Sequence, residues 1–137
     1  MRVDVVLDAS VAAKFYFHED GSDRARAVLT SGVVVATPDL LFVEMASVAS
    51  KRVRRGLCSA DLGRDAVVSV GDLVDEIAPL SGLAHRAFVF ARDSNFSAYD
   101  GAYLALAERL SAPVLTADER FIGKARALGA GNLIRQL

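Results

Sequence analysis

Four acidic residues stand where carboxylates are costly or where strands end. Asp8 follows the apolar run Val3–Leu7, and Asp118 follows Val114–Thr116. Glu44 has Leu40, Leu41, Ser47 and Val48 at helical spacings of three and four; Asp100 has Phe96, Tyr103, Leu104 and Ala107. Both stripes are mostly apolar, and an ionised carboxylate is rarely buried without a partner. Taken singly, Asp8 and Asp118 read as helix N-caps, and Asp100 reads as a first-turn acid in a capping box with Ser97. Glu44 has no such ordinary role. Taken together, the four are better explained by one site than by four unrelated placements. Like charges gathered without a basic partner raise one another's pKa. A hard cation such as magnesium, which takes oxygen ligands, relieves that repulsion.

The elements that must bring these acids together alternate along the chain. Strands are expected at Val3–Leu7, Val33–Ala36, Asp75–Ala78, Pro113–Thr116 and Asn132–Ile134, the second one stopped by Thr37-Pro38. Helices are expected over Ser10–Phe17, Asp23–Leu29, Asp39–Arg55, from a Ser59 cap to Leu73, Ser81–Asp93, Ser97–Leu110 and Glu119–Leu128. Gly56 stands where it can close the long third helix. Strands alternating with helices indicate an α/β fold with a largely parallel sheet. The helices between the second and third strands are too many for a minimal doubly wound repeat. In a parallel sheet the C-terminal strand ends share one edge, and sites form there. Asp8 and Asp118 belong to that edge. Asp4 lies about one strand length away and is excluded, whereas Glu119 is a candidate outer ligand.

The 137 residues suit one domain spanning 1–137. A chain of this length buries about two-thirds of its unfolded surface. Hydrophobic residues make up 53% and mean hydropathy is +0.31, yet no run approaches the ~20 apolar residues of a membrane span. The start, Met1-Arg2-Val3-Asp4, does not read as a signal peptide. Cys58 is the only cysteine, which excludes an internal disulfide and a cysteine-rich zinc site. A cytoplasmic protein without a membrane segment is expected. The net charge of -1 and pI of about 6.1 differ from those of a simple basic nucleic-acid binder. Carboxylates that load cations become locally positive, however, so overall charge does not exclude a phosphate-bearing substrate.

The segments Val6-Leu7-Asp8-Ala9-Ser10, Val43-Glu44-Met45-Ala46-Ser47, Tyr99-Asp100-Gly101-Ala102-Tyr103-Leu104-Ala105-Leu106-Ala107 and Leu115-Thr116-Ala117-Asp118 occur in that order. Together they resemble the PIN-domain family, and most closely its small toxin members of the VapC type. The third and fourth segments are the most specific. The resemblance implies a three-layer fold with a mostly parallel central sheet flanked by helices. It also implies a magnesium- or manganese-dependent ribonuclease, the toxin of a toxin–antitoxin pair. Asp8, Glu44, Asp100 and Asp118 match the family's four acidic positions, which are expected to be both catalytic and metal-binding. Ser10 and Thr116 match supporting hydroxyls. Many members carry asparagine three residues after the helix glutamate, where this chain has Ser47. The implied partners are RNA, a small antitoxin whose chain lies across the active-site groove, and a second copy in a homodimer. Four carboxylates suit phosphodiester hydrolysis, because one or two divalent ions, about 3.5–4 Å apart in two-metal sites, activate water and stabilise the leaving oxygen.

The run Lys51-Arg52-Val53-Arg54-Arg55 is the densest basic segment. It either complements a helix dipole or contacts phosphates. Lys51 follows Glu44 by seven residues, nearly two turns, and so projects from about the acid-bearing face some ~10 Å further on. Lys51 and Arg55 are the candidate RNA contacts, and Arg52 is expected to point elsewhere. His18 and His85 are read as structural or solvent-facing. Two rival functions share the pattern. One is another magnesium-dependent phosphotransfer enzyme, such as a phosphatase with an aspartyl nucleophile. That class commonly presents a second aspartate two residues on, where this chain has Ser10. The other is a non-catalytic interaction domain, which retention of all four acids disfavours.

Overall fold

The computed structural model describes residues 2–137. Its centre is a five-stranded, all-parallel sheet built from β1 (Val5–Leu7), β2 (Val35–Pro38), β3 (Glu76–Ala78), β4 (Val114–Thr116) and β5 (Ile134–Gln136), in the order β3-β2-β1-β4-β5. The helices are α1 (Ala9–Tyr16), α2 (Ser22–Leu29), α3 (Leu40–Arg54), α4 (Ala60–Ser69), α5 (Ala84–Arg92), α6 (Ala98–Leu110) and α7 (Glu119–Ala127). No helix among the described residues is long and apolar enough to cross a membrane.

Alternation along the strands sorts the core into two layers, because successive strand side chains face opposite ways. Val5 and Leu7 of β1 pack with Val11, Leu41, Met45, Ala49 and Ala66 from α1, α3 and α4. Val6, between them, packs on the other side with Phe90, Leu104, Leu106 and Phe121 from α5, α6 and α7. The result is the expected three-layer α/β arrangement. Its α6 is buried from Gly101 to Ala107, so it reads as apolar on every side rather than as an amphipathic stripe.

Several element boundaries differ from the sequence reading. The second strand is not stopped by Thr37-Pro38; it includes both. Thr37 is fully buried, and its Oγ1 donates to the carbonyl of Leu7 at 3.0 Å. Pairing of Thr37 with Ile77 and of Pro38 with Ala78 then carries the strand to its end. The first strand begins at Val5 rather than Val3: ahead of it, the Asp4 carboxylate accepts from the amide of Val34 at 2.7 Å. Asp75 does the same for Val35 at 2.8 Å, just before β3. The last strand lies at Ile134–Gln136, two residues later than Asn132–Ile134, after a 3₁₀ turn over Gly131–Leu133. The helix expected through Leu73 becomes 3₁₀ over Val70–Leu73, and the one expected from Ser81 starts at Ala84 after a 3₁₀ turn at Leu80–Gly82.

Gly56 closes α3 at φ 70°, with Leu57 N donating to the carbonyl of Arg52 at 2.9 Å; this satisfies a terminal carbonyl of the helix. Gly101 serves a different need. A Cβ there would lie 2.7 Å from the Ala87 carbonyl oxygen, so the close approach of α5 and α6 depends on it. Gly101→Ala should therefore cost about 1–3 kcal/mol of stability through overpacking. Gly123→Ala, inside α7 with nothing near the added methyl, should instead gain about 0.5–1 kcal/mol. Urea unfolding of the two variants checks this pair; equal shifts would show that the α5–α6 contact is not tight.

Candidate active site

The sheet order places a topological switch between β1 and β4: the chain leaves β1 for β2 on one side and returns to β4 on the other. Crevices at such points form at the C-terminal strand ends. Asp8 stands immediately beyond β1, and Asp118 two residues beyond β4. The register Leu7↔Leu115 sets Asp8 opposite Thr116, and Asp8 N donates to the carbonyl of Leu115 at 3.3 Å.

Asp8 occupies the N-cap position of α1, but its side chain does not cap that helix. It turns toward β4. Its Oδ2 accepts from Thr116 Oγ1 at 2.7 Å and from Ser10 Oγ at 2.8 Å. Both hydroxyls are fixed from behind by backbone amides: Ala117 N donates to Ser10 Oγ at 2.9 Å, and Asp118 N donates to Thr116 Oγ1 at 3.1 Å. Burial raises the Asp8 pKa above its ordinary value. The hydroxyls of Thr116 and Ser10 and the Ala9 amide oppose that rise, and the charge of Asp118 adds to it.

Asp118 does cap its helix, accepting at Oδ1 from the amides of Arg120 at 3.0 Å and Phe121 at 3.2 Å. It is exposed, so the cap and a place in the site coexist. Glu44 lies on α3 beside the buried line of Leu41, Met45 and Ala49 rather than within it. Its neighbours three and four residues on are not part of the core: Val48 is half-buried and Ser47 is exposed. Burial raises the Glu44 pKa. A hydrogen bond from Tyr103 lowers it, and the charges of Asp8, Asp100 and Asp118 raise it. Asp100 sits in the first turn of α6, where its amide donates to Ser97 Oγ at 3.1 Å. Burial raises its pKa, opposed by the Ser97 hydroxyl, raised again by Asp118 and lowered by Lys124.

The four acids therefore lie in one electrostatic field. None of them takes part in an ion pair among the described residues. They are not drawn into a closed chelate either: among the described residues no three His, Cys, Asp or Glu side chains are gathered as a ready metal cage. The donor set is nonetheless all oxygen, anionic and partly desolvated. That chemistry fits magnesium or manganese, which keep several waters and take few carboxylates. A cavity of about 530 Å³, lined by Arg86, Phe90, Glu108 and Pro113, opens at the opposite edge of the sheet, before β4 and β5, and contains none of the acids.

The remaining candidates are placed as follows. Lys51, Arg54 and Arg55 are exposed at the end of α3. Arg52 points away from them, paired with Glu19 and stacked 4.7 Å over the ring of Phe17. Glu119 is exposed on the first turn of α7, and His18 and His85 are exposed. The residue that sequence reasoning passed over is Tyr103. It counted as part of an apolar stripe, yet its hydroxyl donates to Glu44 Oε1 at 2.5 Å. A tyrosine facing a lone acid on a second apolar stripe was the available signal.

Comparison with known proteins bears on the family and the fold. The sequence profile of the PIN domain matches residues 5–127. Ribonuclease VapC9 of Mycobacterium tuberculosis is 34% identical over 116 residues, covering 85% of this chain and 87% of that protein. Ribonuclease VapC3 of Pyrobaculum aerophilum is 29% identical over 126 residues, covering 90% and 96%. The crystal structure of VapBC2 from Rickettsia felis, bound to a DNA fragment from their promoter, superposes with a TM-score of 0.69 at 12% identity, covering 98% of this chain and 99% of that one.

Asp8, Glu44 and Asp100 each hold a proton more tightly when folded than when unfolded. Across the window that opens near the ordinary carboxylate value of about 4, the folded state binds more protons, and these groups make stability fall as pH rises. Asp8→Asn removes one such group while keeping an acceptor for Ser10 and Thr116. In the absence of divalent ions, thermal melts should show Asp8→Asn gaining on the wild type as pH is raised from about 4 to about 7. Parallel curves would mean that the Asp8 charge is not disfavoured by the fold.

Proposed function

The chain belongs to the PIN-domain family, and from that premise we propose that it is a VapC-type endoribonuclease, the toxin of a toxin–antitoxin pair. The observation that carries this reading is Asp8, held by Ser10 and Thr116 in the β1–β4 crevice and sharing its field with Glu44, Asp100 and Asp118. Asp8, Glu44, Asp100 and Asp118 would hold magnesium or manganese. When bound, the ion supplies an activated water and charge stabilisation for phosphodiester hydrolysis.

The chain's own part is positional. Ser10 and Thr116 keep the Asp8 carboxylate aimed into the crevice. Asp118 is fixed by the first turn of α7, and Glu44 and Asp100 close the site from α3 and α6. His18 and His85 take no part. A phosphatase with an aspartyl nucleophile fits less well, since Ser10 occupies the place of its second acid and is committed to Asp8 and the Ala117 amide.

Charge and exposure support the partners that the family implies. Lys51 and Arg55 would contact RNA phosphates beyond the acids. An antitoxin acting across the groove would place a basic side chain among the uncompensated carboxylates. A second copy would cover the apolar surface beside α3 and α6, where Val43 is 70% and Tyr99 is 66% exposed. Tyr99 there borders a cleft of about 180 Å³ shared with Leu40, Leu80 and Ala84. The protein would act as a single domain in the cytoplasm.

Asp8→Asn, Glu44→Gln, Asp100→Asn and Asp118→Asn should each lower metal-dependent cleavage of RNA about 100-fold or more with the fold retained. Products should carry 5′-phosphate and 3′-hydroxyl ends, because water rather than the 2′-hydroxyl attacks phosphorus. Finding 2′,3′-cyclic phosphate ends by mass spectrometry would exclude the mechanism. In an Asp8→Asn background, Lys51→Ala with Arg55→Ala should weaken RNA binding and flatten its salt dependence by about one contact per residue, whereas Arg52→Ala should not. Unchanged affinity and salt slope for the double variant would remove the guidance role.

A further inference from the structure

Tyr103 lies in the most buried stretch of the protein, Gly101–Ala107 of α6, and is 2% exposed. A phenol at such depth needs a hydrogen-bond partner. It has one: its hydroxyl donates to Glu44 Oε1 at 2.5 Å, bridging α6 and α3 across 59 positions of sequence. Among the described residues no other hydrogen bond reaches the Glu44 carboxylate. Without this contact, Glu44 would be a flexible side chain on the rim of α3, free to swing toward water and away from three like charges.

A phenol suits the task for a specific chemical reason. It is a neutral donor that offers one O–H to the carboxylate and brings no charge of its own. An arginine or lysine in its place would also hold Glu44, but would cancel the negative charge that a cation requires. Tyr103 therefore restrains the carboxylate and leaves its charge in the site. Outer contacts of this kind orient metal-binding side chains and are worth about 10–100-fold in metal affinity.

We propose that Tyr103 is a positioning residue for divalent-cation binding, its hydroxyl holding Glu44 toward Asp8 and Asp100. The inference rests on the metal-dependent reading above, and one titration separates the two. Manganese is titrated by calorimetry into RNA-free protein for wild type, Asp8→Asn, Tyr103→Phe, Glu44→Gln and the Tyr103→Phe/Glu44→Gln pair. Phenylalanine keeps the ring that fills the core, and near-ultraviolet circular dichroism verifies the packing.

The expected result is manganese binding by the wild type, lost in Asp8→Asn and weakened about 10–100-fold in Tyr103→Phe. In the Glu44→Gln background, Tyr103→Phe should add nothing, since the coupling passes through that carboxylate. Cleavage by Tyr103→Phe should recover as manganese is raised, so the half-saturating metal concentration moves more than the maximal rate. Wild-type affinity in Tyr103→Phe would overturn the proposal and leave the metal site standing. An equal loss in both backgrounds would assign Tyr103 a packing role and overturn it as well. A wild type that binds no manganese would overturn the metal reading, and the proposal with it.

Discussion

A half-buried carboxylate at the end of a central strand is the constraint around which this protein is arranged. Asp8 gains no helix-capping bond in return for its desolvation. It is held instead by two hydroxyls that are themselves held by amides beyond β4. This requires β1 and β4 to be neighbours in register, with a small hydroxyl two residues after Asp8 and another at the last position of β4. The parallel sheet, with its reversal between β1 and β4, is the simplest frame that meets those requirements. Glu44 and Asp100 then enter from helices on opposite faces of that sheet. The site thus draws on both layers, and disturbing either layer moves an acid.

That arrangement leaves local repulsion in the folded state. Three carboxylates are disfavoured as anions by burial and by neighbouring acids, Asp118 acting on all three, and the one cation among the described residues that opposes this is Lys124, acting on Asp100 alone. Some charges elsewhere are paired in the ordinary way, as in Arg86 with Glu108 and Arg92 with Asp93. The acids are exceptional here. Tension concentrated at one crevice in an otherwise satisfied structure is what a site awaiting a positively charged ligand requires.

Much of this was legible in the sequence, for physical reasons. Asp8 and Asp118 could be placed at one edge because parallel strands must point the same way, and Gly56 marked the end of α3 because only glycine turns there without strain. What escaped was decided by partners distant in sequence. Thr37 and Pro38 looked like a stop, but the carbonyl of Leu7 satisfies the threonine hydroxyl and β3 supplies the pairing. The last strand shifted to Ile134–Gln136 because backbone pairing with Val114–Thr116 sets it, while its side chains carry no alternation. Ser47 seemed to share the Glu44 face and is exposed, since the buried line of α3 runs one residue on, through Met45. Tyr103 was hidden by its own ring: an apolar pattern counts the aromatic face and overlooks the hydroxyl at its tip.

The two edges of the sheet bear on how this protein keeps company. A five-stranded open sheet ends in two strands paired on one side only, here β3 and β5, each three residues long. Glu76 interrupts the first, and Arg135 and Gln136 the second. So short and polar an edge offers another chain too few free amides and carbonyls to extend the sheet. Strand-to-strand recruitment, the route to fibrous association, is thereby discouraged. Recognition is left to helical surfaces, where shape and side-chain chemistry distinguish one neighbour from another.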